Sequence, residues 1–172
     1  RKSGARADES SVRTNETIVT KHGNEVRKQR QNALYQDIKK TALAVGIACV
    51  EHTGRDEIKM YEATKVAMLH ALDHLSIVPQ HVLIDAMVLE MPIAQTKIIQ
   101  GDAKSCSIAA ASIGAKVTRD ELMRAYDEKY PGYDFAQNAG YGTAKHLSAL
   151  TELGISPIHR LSYEPIKSMR HN

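Results

Sequence analysis

The sequence predicts an α/β layered domain that continues into a helical C-terminal part. The run Val82-Leu83-Ile84-Asp85 is short and apolar and ends in a carboxylate, as a buried strand does when it presents a polar residue at its C-terminal tip. A second short strand is expected near residues 97–99. Long stretches with apolar residues at helical spacing flank this pair on both sides.

In chain order, residues 1–27 are polar apart from a β-like patch at Thr17-Ile18-Val19-Thr20, and little stable structure is expected there. From 28 to 44 the residues Ala33, Leu34, Ile38 and Leu43 recur near helical spacing. Residues 45–50 read as a strand that runs into Glu51-His52-Thr53-Gly54. Residues 56–75 form an amphipathic helix, with Asp56 as its N-cap and Ile58, Tyr61, Met68, Leu72 and Leu75 toward the core. Pro79 separates that helix from the strand at 81–84, and a loop containing Pro92 leads to the strand at 97–99. The turn Gly101-Asp102 opens a helix from about residue 103 with Asp102 as its cap, and small residues in its first turns let its backbone approach a neighbour. Helices at 119–130 and about 143–153 follow, the second ended by Gly154.

At 172 residues, the chain suits one domain able to bury a core, and 42% hydrophobic with 25% charged residues is ordinary for a globular protein. No apolar run approaches the roughly 20 residues that span a bilayer, and no signal-peptide pattern is present, so a cytoplasmic location is expected. Cys49 and Cys106 read as free, buried thiols rather than a bridge. The net charge of +3 is uneven: residues 1–30 hold eight Lys/Arg and four Asp/Glu (+4), and the other 142 hold 15 and 16 (−1). That surplus points only weakly to nucleic acid, since a solvated tail accounts for it equally well.

Two carboxylates stand out. Asp85 at a strand tip and Asp120 on a helix are placed to converge, and oxygen ligands of this kind suit Mg²⁺ or Mn²⁺, whereas zinc would lean on Cys and His. Lys116 stands four residues before Asp120, which fits a helical ion pair or, with Arg119, a phosphate contact. Tyr141 between Gly140 and Gly142 fits a turn feature or a ring that a ligand can approach closely. His70 and His74 have metal-compatible spacing but no third ligand is apparent, and a solvated helix face accounts for them.

Four blocks of sequence then carry a resemblance. They are Leu83-Ile84-Asp85-Ala86-Met87; Gly101-Asp102 through Asp120; Tyr130-Pro131-Gly132-Tyr133-Asp134-Phe135-Ala136 with Gly140-Tyr141-Gly142-Thr143 and His146; and Gly154 with Pro157-Ile158-His159-Arg160. From about residue 34 to 167 the chain resembles bacterial ribonuclease HII, which cuts RNA within RNA–DNA hybrids. The resemblance implies a ribonuclease H-like mixed sheet flanked by helices. It also implies a divalent-metal endonuclease that takes RNA–DNA hybrids or DNA with embedded ribonucleotides, leaves 5′-phosphate ends, uses Mn²⁺ or Mg²⁺ and needs no obligate protein partner. In that scheme Asp85 is the metal-bridging carboxylate and Asp120 the fourth one. Tyr141 stacks on a sugar and senses its 2′-hydroxyl. Lys116 and Arg119 lie along the substrate backbone, and His146 and the His159-Arg160 pair are structural or phosphate-facing.

The resemblance stops at the N-terminus. The family opens with a strand bearing Asp-Glu-Ala-Gly-Arg-Gly, and the nearest candidate, Asp8-Glu9, lacks the apolar strand and the glycines. Where the family has Asp-Ser-Lys-Lys-Leu, this chain has His22-Gly23-Asn24-Glu25-Val26. Residues 1–27 are therefore expected to be divergent and 28–172 to be a catalytic domain without its first three strands, with uncovered apolar surface beside the strand of Asp85. The chain opens on Arg1, and a truncated or frame-shifted start is the expectation. The alternative to an active endonuclease is a catalytically incomplete fragment with weak or no nucleic-acid binding.

Overall fold

The computed structural model describes residues 21–50, 60–161 and 164–169. Helices α1 (Lys21–Thr41) and α2 (Met60–Asp73) precede strands β1 (His81–Asp85) and β2 (Ala94–Ile98). Five more follow: α3 (Gly101–Lys104), α4 (Cys106–Lys129), α5 (Phe135–Asn138), α6 (Ala144–Leu153) and α7 (Ile166–Met169). The Thr17-Ile18-Val19-Thr20 patch, the Asp56 cap, Ile58 and the Asp8-Glu9 pair lie outside the described residues. None of the described helices is long and apolar enough to cross a membrane.

β1 and β2 pair in parallel, with His81 opposite Ala94 and Asp85 opposite Ile98. Their link, residues 86–93, is held by the Gln95 side chain, which accepts from Leu89 N–H (2.9 Å) and donates to the Leu89 carbonyl (2.7 Å). Leu89 is thereby fixed in the core. Leu83 on β1 is 41% exposed and Ile99 beyond β2 is 65% exposed, in keeping with the expectation of apolar surface beside the pair.

α4 is the spine. The sequence suggests two helices with a break near residue 119, but one helix runs unbroken from Cys106 to Lys129. No Gly or Pro interrupts residues 115–129, and Lys116, Arg119 and Asp120 fall in its interior. Its cap is Ser105, whose side chain accepts from Ile108 N–H, rather than Asp102. Asp102 sits in the first turn of α3 and accepts from Ala103 N–H instead. The close approach expected of the small residues occurs at Gly114, where a Cβ would lie 3.2 Å from the ring of Tyr35. That contact decides which face of α1 is inside: Tyr35 is buried and Ile38 half-buried, whereas Leu34 is 42% exposed; Leu43, beyond the helix, is 89% exposed. α1 also begins earlier than residue 28, at Lys21.

The apolar core lies in the C-terminal half. Phe135 and Leu150 are fully buried and pack with Tyr133, Ala149 and Ile166, with Met123 and Tyr126 of α4 against them. Thr143 caps α6, and Gly154, with φ 79°, ends it as expected.

Residues 45–50 form no strand. Their backbone finds a side chain instead: His74 Nδ1 donates to the Ile47 carbonyl at 2.7 Å, which gives that histidine a structural partner. Cys49 and Cys106 are free thiols, exposed rather than buried as expected. Gly46 meets α2 so closely that a Cβ would lie 2.0 Å from the Ala71 carbonyl oxygen. Gly46→Ala must push this segment off α2 and is expected to cost about 1–3 kcal/mol, read as a lower urea midpoint, with Ala71→Gly giving no rescue because the clash is with backbone.

Candidate active site

Asp85 closes β1 and is half-buried. Its Oδ1 accepts from the backbone N–H of Gly101 at 2.9 Å, so the strand tip is tied to the start of α3. A Cβ there would meet Ile108 Cδ1 at 2.6 Å and Asp85 Oδ1 at 3.3 Å, so any larger residue would have to displace the Ile108 methyl. The next residue, Ala86, takes a left-handed backbone (φ 55°) and donates to the Ile98 carbonyl, which turns the chain away immediately after the carboxylate.

Asp120 is buried on α4, the helix that packs against β1. Lys116, one turn earlier, forms an ion pair and hydrogen bond with its Oδ1. The ammonium end reaches solvent, since the Lys116 side chain is 46% exposed against 9% for Asp120. A buried carboxylate thus already holds a cation at its surface side.

Arg119, next to Asp120, has different partners. Its Nη2 donates to the Ala139 carbonyl at 2.8 Å, and its guanidinium lies over the ring of Tyr141, 5.4 Å from the centroid. Tyr141 is 67% exposed. Its loop is built on Asn138, buried and doubly engaged: Nδ2 donates to the Tyr133 carbonyl (2.8 Å) and Oδ1 accepts from Gly140 N–H (2.8 Å). Asn138 O in turn accepts from Tyr141 N–H at 2.9 Å. Ala139 and Gly140 both have positive φ, 50° and 81°, and Gly140 passes close to Met123, whose Cε would be 3.3 Å from an added Cβ. Sequence reasoning missed Asn138, although an Asn two residues before a Gly is an ordinary turn signal.

His146 is structural. It is 4% exposed, and its two ring nitrogens face the Tyr133 carbonyl (2.9 Å) and His159 Nε2 (3.2 Å). Ser156 N–H donates to His159 Nδ1 at 3.0 Å, so the donor inventory puts the His159 proton on Nε2 and the His146 proton on Nδ1. Of the two roles considered for His146, this burial suits the structural one. Arg160 follows the pair and is half-buried. Tyr133 O therefore receives donors from both Asn138 and His146, which joins the Tyr141 loop to the core.

Among the described residues no group of three or more His, Cys, Asp and Glu stands close enough to hold a metal together. Asp85 and Asp120 each offer hard carboxylate oxygens of the kind that Mg²⁺ and Mn²⁺ prefer.

The whole chain can be set beside known proteins. It superposes on the crystal structure of ribonuclease H2 from Pyrococcus horikoshii with a TM-score of 0.74 and 20% identity, over 93% of this chain and 80% of that one. That likeness establishes the fold, including the α/β arrangement and helical C-terminal part. The sequence model of ribonuclease HII matches residues 20–166, and the chain belongs to the ribonuclease HII family.

Proposed function

We propose that this chain is an endonuclease that hydrolyses the RNA strand of RNA–DNA hybrids, including ribonucleotides embedded in DNA, and leaves 5′-phosphate ends. One observation supports the reading above the others. Two neighbouring residues of α4 carry it: Asp120 is a buried acid on the helix that packs against β1, and Arg119 lies over the exposed ring of Tyr141. An exposed aromatic on the adjoining loop and a buried acid are thereby both tied to one rigid helix.

Asp85 and Asp120 are the groups that would hold a divalent ion, with Asp85 anchored through Gly101 and Asp120 through Lys116. When bound, such an ion supplies Lewis-acid stabilisation of phosphoryl charge and an activated water. The chain's own residues do the positioning. Lys116, with its ammonium at the surface beside Asp120, is placed to meet a substrate phosphate oxygen. Tyr141 offers an aromatic face to a ribose, and the 2′-hydroxyl is the group that separates RNA from DNA. Arg160 is assigned to the phosphate backbone by the family pattern alone.

A second reading, a fragment that binds without cutting, is favoured by the donor set, since two carboxylates hold Mg²⁺ weakly. The two readings separate in one assay on a duplex containing a single ribonucleotide, run with Mg²⁺ and with Mn²⁺. Cleavage on the 5′ side of a phosphate that Asp85→Asn and Asp120→Asn each slow about a hundredfold or more is expected. Binding with no cleavage in either metal would favour the second reading, and cleavage that survives both substitutions would contradict the proposed site. Tyr141→Ala is expected to weaken binding of the ribonucleotide duplex about tenfold while leaving the all-DNA duplex nearly unchanged, read by competition binding.

A further inference from the structure

Arg119 makes two contacts that together define a role of its own. Its Nη2 donates to the Ala139 carbonyl, and its guanidinium carbon lies over the Tyr141 ring, 5.4 Å from the centroid. The loop it holds is assembled from two consecutive left-handed residues, Ala139 and Gly140. Backbone bonds from Tyr141 N–H to Asn138 O (2.9 Å) and from Thr143 N–H to Tyr141 O (2.8 Å) fix the main chain on either side of the ring. They leave the ring itself, 67% exposed, free to exchange rotamers as surface aromatics do. A guanidinium laid on one face restrains that motion and turns the opposite face to solvent.

We propose that Arg119 is a positioning residue, which holds the Tyr141 ring in register with α4, and so with Asp120, rather than a direct phosphate contact. The proposal rests on the reading of Tyr141 as the sugar-facing residue. Nη2 donates to the Ala139 carbonyl and the guanidinium lies at the Tyr141 ring, so both observed contacts of Arg119 go to the loop. Lysine cannot replace it, because an ammonium has no planar face to stack while its donors bond the carbonyl.

The protein has no tryptophan, so Tyr141→Trp installs a single fluorescent reporter at the loop. In this background, Arg119→Met and Arg119→Lys are each expected to raise acrylamide quenching roughly twofold and lower the steady-state anisotropy. With Tyr141 intact, each is expected to weaken binding of a ribonucleotide-containing duplex about tenfold, with the salt dependence of binding unchanged. In the Tyr141→Ala background, Arg119→Met should cause no further loss. Unaltered reporter mobility, additive losses, rescue of binding by lysine or a shallower salt slope would each overturn the inference in favour of a phosphate contact. If Tyr141→Ala leaves duplex binding untouched, the sugar-facing reading fails, and with it this role for Arg119. If Tyr141→Ala weakens binding while the reporter ignores Arg119, only the inference fails.

Discussion

The hydrogen bond from Gly101 N–H to Asp85 Oδ1 is the joint on which the rest of the structure turns. It couples the tip of β1 to the start of α3, and α3 leads through one extended residue, Ser105, into the spine helix α4. Ile108 fills the space that a side chain at residue 101 would occupy, so packing and hydrogen bonding fix the same geometry. The direction of α4, and hence where Lys116, Arg119 and Asp120 stand, follows from that corner. The carboxylate that builds the corner is also the one proposed here to hold a metal ion, so the observed structural bond and the proposed chemistry meet at one residue.

A second anchor works at the far end of α4. The Tyr133 carbonyl accepts from Asn138 Nδ2 and His146 Nδ1, and the stacked rings of Tyr133 and Phe135 seat it in the core. Asn138 passes that rigidity to the Gly140 and Tyr141 backbone. The buried chain of Ser156, His159 and His146 supports the carbonyl from the other side, which explains polar residues inside an otherwise apolar cluster. The exposed Tyr141 is thus held in place by a larger set of buried polar residues.

Much of this was legible in the sequence. The apolar run ending at Asp85, the i to i+4 spacing of Lys116 and Asp120, and Gly154 after an amphipathic helix each have local causes, and the structure has all three. The rest depends on partners distant in sequence. Leu34 and Tyr35 are equally plausible core residues on α1 until Gly114 supplies room for the larger ring. Residues 45–50 have strand-like composition, yet the Ile47 carbonyl bonds to His74, just past the end of α2. Arg119 looks like a phosphate ligand from its charge, and only the fold shows Ala139 and Tyr141 within its reach. His146 was placed by the resemblance, but its burial follows from a histidine 13 residues later.

The central claim is that Asp85 and Asp120, on different elements, serve one cation site. The most direct measurement is Mn²⁺ titration of the whole chain followed by electron paramagnetic resonance, repeated on Asp85→Asn and Asp120→Asn. One bound Mn²⁺, weakened about tenfold or more by each substitution, is the predicted result. An affinity that only one substitution changes, or neither, would contradict it.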